Sequence, residues 1–354
     1  MNSLKSILNR HPHHEGRYIA EIGLNHNGDH DVALKMIEAA AEAGADGVKF
    51  QTIIPEELVS PYGKALLEEG RESFRDNETE DFFRQFLFTR EEYLSLAIRA
   101  RECGVVFFSS PFSEKSVIFL EEVGVPLYKI ASSEVTNLSL IRAIGQTGKP
   151  CIISTGMARE REISTAIEEY RKAGGSENLL LHCVSNYPLE FHNANLKRIE
   201  ELRQTFKSEI GFSDHSRGSG LMQLAAVLGA RVFEKHFTID RSYPCPDKEV
   251  SVTPEDFSSL IVEVEGAIAA AGDGTIDFGV PEAEIARGAR RSLFARHDIR
   301  QGAIIREADL IALRPGIGIS PDNIDAVAGK TAAVDIAKDM LIRDEYIQKG
   351  DSGE

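Results

Sequence analysis

The chain is poor in cysteine, short of positive charge and free of long apolar runs, and each shortage excludes a class of protein. Its four cysteines, Cys103, Cys151, Cys183 and Cys245, show no CxxC spacing and no disulfide framework. Cys103, Cys151 and Cys183 sit in apolar or element-terminal settings, where a free cysteine acts as a small hydrophobe, so a reducing cytoplasm is the expected compartment. A formal net charge of −16 lacks the basic surface that nucleic acid or an anionic membrane requires. It leaves room for a local basic pocket that holds a small anion. No stretch approaches the roughly 18 uncharged apolar residues of a membrane span. The opening MNSLKSILNRHPHHEGR has no continuous apolar region of the secretory kind. That tail, residues 1–17, is expected to fray, with His11, His13 and His14 solvated rather than bound to metal.

Eight apolar runs follow, in the order YIAEIGLNHN, DGVKFQT, VVFFSSP, LYKIASSE, PCIISTG, NLLLHCVS, IGFSDHS and RVFEKHF. They alternate with longer amphipathic stretches, the pattern of a parallel sheet covered on both faces. Eight such units predict a (β/α)8 TIM barrel over residues 18–272, in which every strand delivers its C-terminal end to one mouth. Helix signals fall between the runs. Asp31 to Ala43 closes at Gly44, Thr89 and Glu92 form a capping box, Asn137 caps the next helix, and Thr253-Pro254 opens the last. One connection, from Gln51 to about Phe88, is far longer than a βα turn needs, and a lid or substrate-gripping loop is expected there. Residues 273–289 have little periodicity and read as a linker. Residues 290–354 then carry an internal echo, DIRQGAIIREADL and DIAKDMLIRDEYI, which predicts a small pseudo-symmetric domain of turns and short strands.

Strand parity gathers the chemistry. Alternate side chains face the same way, so Glu21, Lys49, Gln51, Ser213, His215, Glu234 and His236 share the faces that would point into the mouth. Lysine and glutamate inside apolar strands imply a ligand or an ion pair. His215 and His236 close adjacent strands and suit a divalent metal. Two imidazoles are fewer than a typical catalytic zinc site supplies, so an ion that keeps water and substrate oxygens is the better match, Mn²⁺ before Mg²⁺ or Co²⁺. Two satisfied histidines packed near strand ends are the plainer alternative. Lys49 and Lys129, with Ser110, Ser132, Ser154 and Ser213, form a candidate anion site. Its plainer alternative is a structural ion pair between Lys129 and Glu134.

These residues resemble the sialic acid (N-acetylneuraminate or nonulosonate) synthase family. The resemblance rests on AEIGLNHNG (Ala20–Gly28), VKFQT (Val48–Thr52), SSPF (Ser109–Phe112), YKIASSE (Tyr128–Glu134), STGM (Ser154–Met157), HCVSNYP (His182–Pro188), GFSDHS (Gly211–Ser216) and EKHFT (Glu234–Thr238). RSLFARHDIRQG and LRPG are similar to the family's antifreeze-like SAF domain. The resemblance implies a condensation of phosphoenolpyruvate with an N-acetylmannosamine-like 2-acetamido sugar, giving a nine-carbon acid and phosphate. It implies that His215 and His236 hold the metal and that Lys49, Ser110, Lys129, Ser132, Ser154 and Ser213 bind phosphoenolpyruvate. Gln51, Glu134, Tyr187 and Asp247 would contact the sugar, and Glu21 and Glu234 would be the acid/base or water-positioning groups. It also implies a domain-exchanged homodimer in which Arg314 reaches the sugar's acetamido group.

Some positions depart from the family pattern. Ser185, grouped here with the phosphoenolpyruvate contacts, stands where some members carry asparagine, and Cys245 stands where glycine is common. The 51–88 loop has no clear counterpart in an N-acetylneuraminate-forming sequence. Legionaminic or pseudaminic acid is therefore an alternative product. A non-catalytic sugar-binding or spore-coat protein is the alternative of another class.

Overall fold

The computed structural model describes residues 4–60 and 78–348. The chain divides into two units, Met1–Gly272 and Asp273–Glu354. In the first, eight parallel strands close into a barrel in sequence order: β1 (Arg17–Gly23), β2 (Gly47–Thr52), β3 (Val106–Pro111), β4 (Tyr128–Ile130), β5 (Cys151–Ser154), β6 (Asn178–Cys183), β7 (Ile210–Asp214) and β8 (Val232–His236). The ring closes where β8 pairs with β1, setting His236 beside Glu21.

Alternation along the strands builds two layers inside the ring. Ile19, Phe108, Leu127, Ile152, Leu181 and Val232 pack as a dry layer at the N-terminal end. Two residues further along the same strands stand Glu21, Ser110, Lys129, Ser154, Cys183 and Glu234, and all six line a cavity. The pleat thus converts one sequence period into an apolar floor and a polar mouth.

The helices obey their local signals. Asp29 accepts from Val32 N to start the helix His30–Glu42. Thr89 and Glu92 complete a capping box, as do Thr253 and Asp256 ahead of Pro254–Ala271. Asn137 Oδ1 accepts from Leu140 N. Of the long connection after β2, residues 61–77 lie outside the described residues, so the lid expectation is tested only at its flanks.

Two expectations are corrected. The N-terminal tail is folded: Leu4 and Leu8 are buried against the apolar layer, beneath β1, β5 and β8. Glu177 accepts from Leu4 N at 2.7 Å, and Asp46 accepts from Arg10 N and Tyr18 N. Two apolar residues in a polar segment were enough, because the open floor of the ring offers surface to cover. The stretch read as a linker contains the helix Val280–Ala289. Flanking glycines and an absent apolar stripe hide it in the sequence.

In the second unit, β9 (Ser292–Ala295) pairs antiparallel with β10 (Leu310–Leu313) over a core that includes Ile299, Ile305, Val327, Ile336 and Ile342. The two echoed segments exchange contacts. Asp298 Oδ1 accepts from Lys338 N at 2.8 Å, and Asp335 Oδ1 accepts from Gln301 N at 2.7 Å. Each aspartate thus holds the turn that follows the other, the structural form of the repeat.

Candidate active site

The C-terminal strand ends enclose a cavity of about 470 Å³. Its wall includes Glu21, Lys49, Gln51, Ser110, Lys129, Ser132, Ser154, Ser185, Tyr187, Ser213, His215, Glu234, His236 and Asp247. Residues from all eight strands or the turns behind them therefore converge on one space. One expected residue of the first unit, Glu134, does not. Glu134 is folded into its own turn, accepting from Ser133 Oγ and Asn137 Nδ2. Arg314 belongs to the second unit, exposed directly after β10.

Four buried charges form the cavity floor. Lys49 Nζ is 2.7 Å from Glu21 Oε2 and 3.8 Å from Glu234 Oε2, and Lys129 Nζ is 3.3 Å from Glu234 Oε1. The partner of Lys129 is thus Glu234 and not Glu134, which has spent its carboxylate on its own turn. Burial works against the charges of Lys49, Lys129 and Glu234, and their partners oppose it to different degrees. Lys49 is held above the usual lysine range, because Glu21 and Glu234 outweigh its desolvation. Lys129 falls below that range, because desolvation outweighs the attraction of Glu234. Glu234 is desolvated too, yet Lys129, Lys49 and the hydroxyl of Ser213 at 2.9 Å hold it below the usual carboxylate range.

A hydroxyl-lined cradle lies beside the lysines. Gly156 N donates to Ser132 Oγ at 3.1 Å. A Cβ at Gly156 would fall 2.5 Å from Ser185 Oγ and 2.9 Å from both Cys183 Sγ and Ser132 Oγ, so only glycine keeps the cradle open. Ser154 Oγ is buried here with no hydrogen-bond partner. A desolvated, unpaired hydroxyl that lines a cavity fits a ligand acceptor. Gly23 plays the matching role at the end of β1. Its φ of +54° follows an irregularity in the β1–β2 register, and a Cβ there would crowd Glu21 Oε1 and Gln51 Nε2. Gln51 Nε2 donates to Glu21 Oε1 at 3.1 Å, fixing that carboxylate toward Lys49.

The two imidazoles stand with ring centroids 5.5 Å apart. His215 Nδ1 donates to Val184 O at 2.9 Å, which leaves Nε2 as the basic nitrogen, facing the Tyr187 hydroxyl at 3.0 Å. Tyr187 also stacks on His215. Burial and the neighbouring His236 push His215 down to about 4, so it is neutral and ligand-ready. His236 Nδ1 lies 3.3 Å from Asp247 Oδ2, an ion-pair contact that outweighs burial and raises His236. Among the described residues no three His, Cys, Asp or Glu side chains assemble as a metal cage. The donor set therefore fits an ion held by two imidazoles that completes its shell with water or substrate oxygen. It does not fit a closed structural zinc site.

Sequence reasoning missed Asn25. Fully buried, it donates to Phe237 O and Ser251 Oγ and accepts from Asp247 N at 3.1 Å, carrying Asp247 to His236. Its parity with Glu21 was the available signal. Also missed was the apolar side of the cavity, formed by Leu24, Phe82, Phe83, Phe112 and Met157. Phe82 and Phe83 stand on the short helix Glu78–Arg84, too brief to show a period that would mark them.

Residues 36–276 match the NeuB family and residues 290–347 match the SAF domain. The N,N'-diacetyllegionaminic acid synthase of Campylobacter jejuni is 37% identical over 328 residues, covering 92% of this chain and 98% of that protein. A pseudaminic acid synthase of the same species is 35% identical over 320 residues, covering 90% of this chain and 92% of that protein. The crystal structure of the N-acetylneuraminic acid (sialic acid) synthetase from Leptospira borgpetersenii, in complex with citrate, superposes with a TM-score of 0.68 at 35% identity. That match covers 76% of this chain and 90% of the other.

Proposed function

The chain belongs to the NeuB family, and we propose that it condenses phosphoenolpyruvate with an N-acetylmannosamine-like 2-acetamido sugar, releasing phosphate and a nine-carbon nonulosonic acid. The observation that carries the reading is the meeting of two buried lysines, an unpaired Ser154 hydroxyl and two histidines around one cavity. Lys49, Lys129, Ser110, Ser132, Ser154, Ser185 and Ser213 bind phosphoenolpyruvate, the ammonium groups answering its charge and the hydroxyls its oxygens. Gln51, Tyr187 and Asp247 border the space left for the sugar.

In the reaction the enol carbon adds to the open-chain aldehyde, water adds to the enol-phosphate carbon, and phosphate leaves with its C–O bond. Cationic character builds at the carbon that bears the phosphate. Glu21, one of the four charges of the cavity floor, stabilises the cation and accepts the proton of the incoming water. Glu234, held ionised by Lys129 and Lys49, keeps both lysines at the floor. His215 and His236 hold a divalent ion, Mn²⁺ by preference, which when bound supplies a Lewis acid for the aldehyde oxygen. Enclosing both substrates in one cavity supplies the proximity term.

Arg314 enters the sugar site of a second copy in this proposal, completing a domain-exchanged homodimer. The four cysteines are free, which suits a reaction carried out in the reducing cytoplasm. The test is phosphate release from phosphoenolpyruvate with Mn²⁺ and a panel of 2-acetamido and 2,4-diacetamido sugars. Release should depend on the sugar and disappear with chelator. Release that no sugar stimulates would end the proposal.

A further inference from the structure

A second cavity of about 230 Å³ adjoins the reaction cavity, and Leu24, Gln51 and Phe83 line both. Its remaining wall is largely apolar, with Ile54, Phe86 and Phe119 prominent. Polar side chains in that wall already have partners, mostly outside it. Thr52 Oγ1 bonds Tyr93 Oη at 2.9 Å and Ser109 Oγ at 2.7 Å, and Ser116 Oγ bonds Ser113 Oγ at 3.0 Å. Gln51 Nε2 is engaged by Glu21. Glu56, at the rim, is held by Arg84, which is itself shared with Glu80. Among the described residues, no lysine, arginine or histidine lines this side chamber. Among the described residues the chamber therefore offers mainly apolar contact and no positively charged side chain.

Resting on the synthase reading above, we infer that the side chamber is a specificity subsite for the acceptor sugar. It takes a methyl-terminated substituent, a deoxy carbon or an N-acetyl methyl, at the end remote from the reacting carbonyl. A phosphorylated acceptor is rejected there, because a dianion would exchange water for the largely apolar described wall. A hydroxymethyl group is disfavoured for the same reason in weaker form, since its hydroxyl would face mostly apolar side chains. Phe83 is the specificity-determining residue, because of the three side chains that line both cavities it is the aromatic one.

The test compares three acceptors on the full chain with phosphoenolpyruvate and Mn²⁺: N-acetylmannosamine, its 6-phosphate, and a manno-configured 2,4-diacetamido-2,4,6-trideoxyhexose. The trideoxy sugar should show a kcat/KM higher than N-acetylmannosamine by roughly tenfold or more, the usual worth of a filled apolar pocket. The 6-phosphate should not turn over. Phe83→Asn should raise KM for the trideoxy sugar and leave KM for phosphoenolpyruvate unchanged, while Phe83→Leu keeps the preference. Preferred use of N-acetylmannosamine or its phosphate would overturn the inference while leaving the synthase reading standing. So would a Phe83→Asn variant that shifts all acceptors equally. Silence with all three acceptors would instead overturn the synthase reading and take the inference with it. Because the wild-type panel decides the first outcome, the test survives a Phe83 variant that fails to fold.

Discussion

Lys49 Nζ lies 2.7 Å from Glu21 Oε2 between neighbouring strands, with both side chains almost wholly withdrawn from water. Such a pair is weak evidence for stability, since replacing it with apolar residues is often neutral. Its persistence at a cavity floor is better explained by chemistry, as an ammonium group kept charged where an anion arrives. Glu21→Gln preserves shape and the bond from Gln51 while removing the charge. Lys49 keeps Glu234 as a counter-ion, so the fold should hold. We expect kcat to fall by about 10²–10⁴-fold, the usual contribution of a positioned acid/base group. Steady-state phosphate release decides it, and an unchanged kcat would remove Glu21 from the chemistry.

A second buried pair does different work. Lys235 Nζ meets Asp214 Oδ2 at 2.9 Å and Ser216 O at 2.5 Å, and Asp214 Oδ1 accepts from Ser216 N. Both side chains are fully buried on the opposite strand face from the cavity, between β7 and β8. They tie together the two strand ends that present His215 and His236. Lys235→Met should cost about 3–5 kcal/mol by leaving Asp214 buried and unpaired. The double variant Asp214→Leu with Lys235→Met should recover much of that loss. Denaturant titration of the three proteins measures it, and equal losses in single and double variants would show that the charges are not coupled.

Strand parity made most of this site legible in the sequence. Ile19 and Glu21, Leu127 and Lys129, or Val232 and Glu234 differ by one period of two, so an apolar residue on a face announces a polar one above it. The order of eight runs then fixes which side chains meet, because a barrel leaves little topological choice. What stayed hidden were relations that no period encodes. Glu134 sits two residues from Ser132, yet it turns away, because Asn137 and Ser133 are nearer partners. Asn25 lies beyond the last β1 pairing and acts through backbone groups of a distant loop. Phe83, on the short helix Glu78–Arg84, and Phe86, in the turn after it, belong to a stretch too short for its period to be read.

The tail was misread for a related reason, and the error carries a prediction. A floor of six inward apolar side chains is a property of the closed ring and belongs to no single strand. Leu8 is buried at 1% exposure against that floor. Leu8→Ala should therefore destabilise the protein by about 2–5 kcal/mol, as a core truncation does. An exposed, fraying tail would lose almost nothing, and an unchanged unfolding midpoint would restore that reading.

His26 sets the last expectation, an acid dependence of stability. The ring is buried between Phe50 and Phe88, its Nδ1 accepts from Gly28 N at 3.0 Å, and burial pushes it down to about 4 from 6.5. Between those two values the unfolded chain binds a proton at this position and the folded chain does not. Stability then rises with pH, so it is lost as pH falls from 6.5 toward 4 and levels off below. A full proton corresponds to about 1.4 kcal/mol per pH unit. His26→Asn keeps an acceptor near Gly28 N but cannot titrate. Other buried histidines contribute their own slopes, so the comparison must be between wild type and variant across the same window. The wild-type curve should fall more steeply toward acid than the His26→Asn curve, with the gap confined to pH 4–6.5. Parallel curves would mean that His26 is protonated in the folded state as readily as in the unfolded one, and that its aromatic enclosure does not exclude charge.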